Sequence, residues 1–297
     1  MKVQVILNPY ANRWGAKSKA TQVEQALQAA GVQAEMVYIP APGEGIRLAR
    51  EAANAGYDAV VAAGGDGTVN EVVNGLIQAA GDGPTVPLGI MGIGTGNDFH
   101  DMAGLPRDLM AAARVIAGGK VRQIDAGKVN DRYFDNNCAV AMEPLVTIEN
   151  EKMTRLSGNI RYIASLIKAL MKLQAWDMRI TLDNEVLEGP AILLSVCNSP
   201  RTGGLFYMAP NAKLDDGLFD VVYAPDIPKR TIMAILPRLF KGSHIHHPAI
   251  TYTRSARLVI ESQPGTPIHA DGEVLSEGES HIEYQVLPGK ITLLSPA

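Results

Sequence analysis

Two glycine-rich corners carry the residue types that could handle a phosphorylated ligand. The first, Gly64-Gly65-Asp66-Gly67-Thr68-Val69-Asn70-Glu71, follows an apolar run at residues 59–63 and opens a helical pattern. Glycines permit positive φ and leave backbone N–H groups uncovered, so phosphate oxygens can approach the turn and the positive end of the helix dipole. The Thr68 hydroxyl adds a donor. An acidic residue in such a turn repels the ligand unless a cation lies between them, which makes Asp66 a candidate Mg²⁺ ligand, direct or through water. The competing reading is a plain tight turn with Asp66 as helix N-cap.

A second corner strengthens the first. The strand pattern at residues 88–91 runs into Gly92-Ile93-Gly94-Thr95-Gly96-Asn97-Asp98. In a doubly wound sheet neighbouring strands end at the same edge, so both corners are expected to line one crevice. Neither corner matches the Gly-Lys-Ser/Thr ending of the ordinary nucleoside-triphosphatase loop, and no full G-x-G-x-x-G follows the first strand. Those NTPase and dehydrogenase readings are disfavoured.

The elements that must hold these corners alternate in type. Strand patterns at residues 3–7, 34–39, 59–63 and 88–91 are interleaved with helical patterns at 22–30, 46–55, 69–80 and 109–117, the arrangement of a doubly wound α/β domain. Residues 59–63 are apolar throughout, as in a strand buried on both faces. After Asp125 short β-branched and aromatic runs take over, at 178–182, 191–196, 219–223, 258–261 and 281–286, which predicts a β-rich sandwich or barrel. Helical segments at 157–173 and 229–240 interrupt it, the second kinked or ended by Pro237. The expected domains are therefore residues 1–128 and 129–297, with the last strand, 291–294, able to return to the first.

Bulk properties narrow the function. The 27 Lys and Arg against 31 Asp and Glu argue against a nucleic-acid partner. Cys138 and Cys197 lie in apolar runs without metal spacing and read as buried reduced thiols, which fits a cytoplasmic enzyme. No signal peptide is indicated, and no uncharged apolar run approaches the roughly 20 residues needed to cross a bilayer. A lipid substrate would have to be met from the water side, at the inner face of the membrane.

Taken in order, the motifs resemble those of the bacterial diacylglycerol kinase and lipid kinase family, relatives of the sphingosine and ceramide kinases. The resemblance spans nearly the whole chain: Asn8-Pro9, GGDGTVNEVVNG at 64–75, GTGNDF at 94–99, Ile124-Asp125-Ala126-Gly127, PNAKLDDGLFD at 210–220 and Asp271-Gly272-Glu273. It implies an N-terminal α/β domain like that of NAD kinases and phosphofructokinases, plus a C-terminal lipid-substrate domain. It implies that Asn8, Gly64, Gly65, Asp66, Gly67, Thr68, Asn70 and Thr95 hold ATP, and that Asp66, Asp98 and Asp125 organise Mg²⁺ with bridging waters, turn or capping residues being the alternative for Asp98 and Asp125. Asp271 matches the family's general base, with Glu273 orienting the base or substrate; by spacing alone Asp-Gly reads as a hairpin turn. Lys213, Asp216 and Leu218 resemble a structural Mg²⁺ loop, an empty turn being the alternative. The implied reaction is transfer of the ATP γ-phosphate to a lipid hydroxyl, most readily diacylglycerol to phosphatidate, in lipid metabolism. A homodimer is implied by family habit only. The rival readings are an NAD kinase-like or other small-alcohol kinase, against which GTGNDF and DGE speak, and a non-catalytic nucleotide- or lipid-binding regulator.

The chain also departs from that pattern. Pro40 stands where the family often has threonine near the nucleotide, and residues 139–144 read Ala-Val-Ala-Met-Glu-Pro in place of a glycine-rich stretch ending Gly-Phe-Asp. Glu143 stands in for that Asp or is a solvated strand-end charge. Arg13 and Lys17 contact phosphate or are surface charges, and Arg201, in a family-like loop at 198–204, is a weak candidate for contacting the acceptor. On the helix at 157–173, Ile163, Leu166, Ile167 and Leu170 share one face, expected to pack on a core, while Arg161, Lys168 and Lys172 lie opposite and would meet anionic headgroups. The run His244-Ile245-His246-His247-Pro248 reads as a solvated loop, with metal binding as the alternative.

Overall fold

The N-terminal alternation folds into β1 (Lys2–Leu7), α1 (Gly15–Ala29), β2 (Gln33–Tyr38), α2 (Glu44–Asn54), β3 (Ala59–Gly64), α3 (Asp66–Ala80), β4 (Leu88–Gly92), α4 (Asp98–Met102) and α5 (Leu109–Gly118). There follow β5 (Val121–Val129), β6 (Arg132–Phe134), β7 (Asn137–Ala141), α6 (Met142–Lys152), α7 (Gly158–Lys172), β8 (Trp176–Leu182), β9 (Val186–Cys197), β10 (Phe219–Pro225), α8 (Lys229–Leu239), β11 (Thr251–Ser255), β12 (Arg257–Ala270) and β13 (Glu273–Leu294). The structure is a computed structural model, describing residues 1–9, 15–153, 156 and 158–296. It divides into two compact units, Met1–Ala126 with Leu287–Ala297, and Gly127–Val286.

In the first unit the strands are parallel in the order β4-β3-β1-β2, and the end of β13 joins beside β4, with Leu293 opposite Leu88. Every residue of β3 is buried, as its unbroken apolar sequence requires. Val3, Val5, Leu7, Val61 and Ala63 face Val23 and Leu27 of α1 and Ile116 of α5, while α2 and α3 pack together and against β1 and β3. This is a doubly wound α/β unit. Helix α3 starts three residues earlier than the apolar period suggests, because Gly65 serves as its N-cap and Asp66 and Gly67 form its first turn.

The second unit is antiparallel and β-rich. Strand β7 pairs β9 and β12, and β8 pairs the same two, so these four strands close on themselves in a barrel-like ring. Strand β8 shows why: Trp176, Met178, Ile180 and Leu182 alternate with exposed positions and enter a core containing Phe134, Leu194, Phe219, Ile260 and Tyr284. Each such side chain contributes roughly 1.5–3 kcal/mol on burial. Helices α6, α7 and α8 cover a second core built on Ile192, Leu193, Val222 and Ala224.

Two sequence expectations are corrected here. Residues 142–152 form α6; Pro144 is tolerated because it lies in the first turn, where N–H groups lack helical acceptors anyway. Glu143 is thereby buried, so the solvated strand-end reading does not hold. Helix α7 buries Leu166 and Ala169 and half-buries Leu170, but Ile163 and Ile167 face solvent; Arg161 donates to the Asn150 carbonyl and Lys172 pairs with Glu149, 2.6 Å away. The expected apolar face is therefore rotated relative to the core.

Candidate active site

The two glycine corners meet. The Ile93 and Gly94 N–H groups both donate to the Gly64 carbonyl, at 2.9 and 3.1 Å, so the chain leaving β4 is tied to the chain leaving β3. A Cβ on Gly94 would lie 2.4 Å from the Gly65 Cα, and one on Gly64 would lie 2.2 Å from Thr68 Oγ1. Glycine is required at both positions by space. Thr68 is buried beneath Gly64, and Gly67 is exposed with nothing near its missing side chain.

Asp66 stands between the corners. Its Oδ1 accepts from the Phe99 N–H at 3.2 Å, and its Oδ2 lies 2.9 Å from where a Gly96 Cβ would be. Asn97 adopts left-handed backbone (φ 57°) and donates to the Gly94 carbonyl at 3.2 Å, which turns the chain into α4 and places Asp98 in its first turn, buried. Thr95 is exposed at the tip of that corner. Behind it His100 packs against Gly92, and burial lowers its pKa below the ordinary imidazole value. The Asn8 N–H donates to the Ala63 carbonyl at 3.1 Å, so β1 ends beside the first corner. A cleft of about 620 Å³ opens next to the second corner, with Gly92, Ile93, Lys19 and Arg107 among its walls, within the usual range for a small-molecule site.

The long motif at 64–75 separates into two jobs. Asn70 is buried, its Oδ1 accepting from Asn74 at 3.2 Å. Glu71 accepts from the Gly43 and Gly45 N–H groups at 3.0 and 2.7 Å and so caps α2. A Cβ on Gly75 would strike the Ile46 carbonyl at 2.2 Å, so this glycine brings α2 against α3. The first half faces the corner; the second half packs the helix that presents it.

Asp125 is buried on β5, its Oδ1 accepting from the Gly289 N–H at 2.8 Å. Among the described residues no group of three or more His, Cys, Asp and Glu side chains stands at metal-holding spacing. That arrangement still fits Mg²⁺, which keeps several waters and takes one or two carboxylates plus substrate phosphates. Asp66 places one carboxylate, a hard-oxygen donor, on the glycine corner. Arg13 and the Lys17 side chain lie outside the described residues.

In the second unit Asp271 and Gly272, both at positive φ, form the two-residue turn joining β12 to β13. The turn does more than reverse the chain. The Asp271 carboxylate accepts from the backbone N–H groups of Asp135, Asn136 and Asn137 at 2.9, 3.1 and 2.8 Å, and its own N–H donates to the Asn137 carbonyl at 2.8 Å. Glu273 is exposed and paired with Arg132 at 2.8 Å. Beneath the turn lie polar residues that sequence reasoning did not assemble: His269 accepts from the Gly272 N–H through Nδ1 at 3.3 Å, and its Nε2 is 3.6 Å from Glu143 Oε2, which also accepts from Asn137 Nδ2 at 3.1 Å. The signal was the buried strand sequence on either side, within which polar side chains must find partners.

Other singled-out residues behave differently. In the loop before β10, Asp216 accepts from the Leu218 N–H at 3.3 Å and faces Arg254 at 3.7 Å, while Lys213 is exposed. An arginine thus already offsets the Asp216 charge. His244 is buried against the Met208 carbonyl at 3.0 Å, not solvated. Cys138 and Cys197 are free and buried, and burial pushes both thiols up.

Known proteins match nearly the whole of the chain. The diacylglycerol kinase catalytic domain profile matches residues 2–129, and the profile of the YegS C-terminal NAD kinase beta sandwich-like domain matches residues 138–295. The diacylglycerol kinase of Bacillus subtilis is 31% identical over 274 residues, covering 92% of this chain and 89% of the relative; that of Staphylococcus saprophyticus is 31% identical, covering 92% and 88%. A solved structure from Bacillus anthracis, assigned to the diacylglycerol kinases, superposes with a TM-score of 0.81 at 26% identity, covering 99% of this chain and 97% of that one.

Proposed function

The chain belongs to the diacylglycerol kinase family and is a kinase; from that premise we propose that it transfers the γ-phosphate of ATP to the hydroxyl of diacylglycerol, releasing phosphatidate and ADP. The observation that carries the reading is the junction of the two glycine corners around Asp66 in the first unit. The first turn of α3, where Gly67 is exposed, suits the triphosphate, because a helix N-terminus carries the positive end of the backbone dipole. Asn8, Gly64, Gly65, Gly67, Thr68, Asn70 and Thr95 are proposed to shape or contact that nucleotide site, in several cases through packing.

Asp66 would hold Mg²⁺, with Asp98 and Asp125 orienting its waters, and the ion would offset the charge gathered on the phosphates. Asp271 is proposed as general base: the acceptor oxygen bonds to the γ-phosphorus, its proton passes to the Asp271 carboxylate, and the bond to the β-bridging oxygen breaks with ADP as leaving group. Three N–H donors fix where that carboxylate points, which supports a positioned base more than a mobile one. Glu273 with Arg132 is proposed to shape the same turn. The acceptor would be met at a membrane surface; among the described residues no helix is long and apolar enough to cross one.

The test is direct. Purified protein is incubated with γ-labelled ATP, Mg²⁺ and detergent-dispersed diacylglycerol, ceramide, sphingosine or phosphatidylglycerol, with NAD in a parallel reaction. Label in phosphatidate is expected. Label in NADP, or in no lipid, overturns the proposal.

A further inference from the structure

Three buried polar side chains meet beneath the Asp271 turn: Asn137 of β7, Glu143 of α6 and His269 of β12. Asn137 engages every polar group it has. Its N–H donates to Asp271 Oδ1 and its carbonyl accepts from the Asp271 N–H, both at 2.8 Å, while its Nδ2 donates to Glu143 Oε2 and its Oδ1 accepts from Thr202, both at 3.1 Å. His269 makes the second link. Its Nδ1 accepts from the Gly272 N–H at 3.3 Å, so the neutral ring carries its proton on Nε2, which faces Glu143 Oε2 at 3.6 Å. One carboxylate is thereby connected to both residues of the turn, to Asp271 through Asn137 and to Gly272 through His269.

Stability alone does not account for a glutamate in this place. Glu143 Oε1 is buried with no hydrogen-bond partner among the described residues, and a carboxylate oxygen left so is destabilising. The backbone that delivers it is strained as well: Ala141, the N-cap of α6, has φ 68° and ψ −107°, a conformation open to glycine and disfavoured for a residue with a Cβ. Two unfavourable features converge on one side chain, and what that side chain does is select a tautomer. A proton on Nδ1 would set donor against donor at the Gly272 N–H and leave a bare Nε2 in front of a carboxylate. With the proton on Nε2 both conflicts vanish. The Gly272 N–H then has its acceptor, and the turn that aims the Asp271 carboxylate is held from below.

We propose that Glu143 and His269 are positioning residues for Asp271: the Glu143 carboxylate fixes the imidazole tautomer, and the imidazole fixes Gly272 and with it the direction in which Asp271 presents its carboxylate to the acceptor hydroxyl. The proposal rests on Asp271 as general base and adds what keeps that base in line. It also gives a purpose to the departure from the glycine-rich pattern at residues 139–144, which is where this chain acquires Glu143.

Turnover with γ-labelled ATP and detergent-dispersed diacylglycerol, ATP affinity by calorimetric titration and thermal melting are measured for the full chain and its variants. Glu143→Gln keeps the shape and lets an amide N–H satisfy the wrong tautomer; kcat is expected to fall about tenfold or more, with ATP affinity unchanged and melting at or above that of the parent. His269→Gln, which has a donor near the Nε2 position and nothing at Nδ1, should lose rate likewise, and His269→Asn, with an acceptor where Nδ1 stands, should restore most of it. Adding Glu143→Gln to Asp271→Asn should change the residual rate by less than about twofold, because a residue that acts through Asp271 has nothing left to act on. A parental rate in Glu143→Gln, an equal loss in the two His269 variants, or an undiminished effect of Glu143→Gln beside Asp271→Asn overturns the proposal. So does melting that drops in step with the rate, which would make Glu143 a structural residue only. Asp271→Asn separates the two levels: if it collapses while Glu143→Gln runs at the parent rate, the base stands and the positioning falls. If the parent labels no lipid, or Asp271→Asn turns over like the parent, the base reading falls and takes the positioning with it.

Discussion

Gly65 and Gly94 meet backbone against backbone, so closely that a methyl group on Gly94 would stand 2.4 Å from the Gly65 Cα and 2.9 Å from its nitrogen. Two turns far apart in sequence are thereby fused into one rigid corner, and Asp66, which reaches across to the Phe99 N–H, takes its position from both. Hydrogen bonds to a single carbonyl, Gly64 O, hold the joint.

Gly94→Ala should therefore lower both stability and nucleotide affinity, since backbone cannot move aside as a flexible side chain can. A loss of about 1–3 kcal/mol in urea unfolding is expected from the overpacking. Gly67→Ala is the contrast: open space surrounds the site, and alanine suits a helix better than glycine, so stability should hold or rise while ATP binding weakens because the methyl covers the approach to the N–H groups. Calorimetric titration with ATP beside unfolding curves separates the two effects. Equal behaviour of the variants would remove the corner from the argument.

Chelation of Mg²⁺ should abolish phosphate transfer and be reversed by adding the ion back. Asp66→Asn keeps the shape of the side chain and its acceptor for the Phe99 N–H but discards the charge. We expect the Mg²⁺ concentration for half-maximal rate to rise by roughly tenfold or more, with thermal stability little changed. An unaltered Mg²⁺ dependence would take the ion away from Asp66.

For Asp271, structure and chemistry predict different magnitudes. Replacing the carboxylate by an amide points an NH₂ group toward one or more of the Asp135, Asn136 and Asn137 N–H donors, which should cost about 1–3 kcal/mol of stability. Loss of a general base should reduce turnover by roughly 10²–10⁴-fold. At a temperature where Asp271→Asn remains folded, ATP affinity should match the parent while transfer to lipid collapses. Turnover within a few-fold of the parent would leave Asp271 as a turn residue only.

Much of this was legible because it is local. The passage from a wholly apolar strand into Gly64-Gly65-Asp66-Gly67 announces a strand-to-helix corner, and the alternation of Trp176, Met178, Ile180 and Leu182 announces a half-buried strand. What stayed hidden depends on distant partners. Asp271-Gly272 reads as a hairpin turn and is one; that its carboxylate collects three N–H groups from residues 135–137 comes from the pairing of β7 with β12. Helix α6 was obscured by Pro144, a breaker in mid-helix and harmless in a first turn. The orientation of α7 is hidden in the sequence because Ile163 and Ile167 have the apolar character of core residues, and only the position of Leu166 and Ala169 against β9 and β10 shows which stripe the core takes.

His244 supplies a prediction in pH. It is buried beside the Met208 carbonyl, and burial lowers its pKa from 6.5 to about 4, outweighing the opposite pull of that carbonyl and of the Glu143 charge. The unfolded chain takes up a proton below about pH 6.5 that the folded chain refuses until about pH 4. Its contribution to stability is thus complete above pH 6.5, falls as the pH drops toward 4, and is level below that, with a total swing of up to about 3 kcal/mol. His244→Gln retains a donor for the carbonyl and removes the titration. Urea unfolding of both proteins between pH 4 and 8 should give a free-energy difference that shifts against the parent as the pH falls, with other buried groups such as His100 cancelling between the two. A difference that stays constant over this range would mean that His244 is solvated, and that the segment beside Met208 opens far more readily than its packing implies.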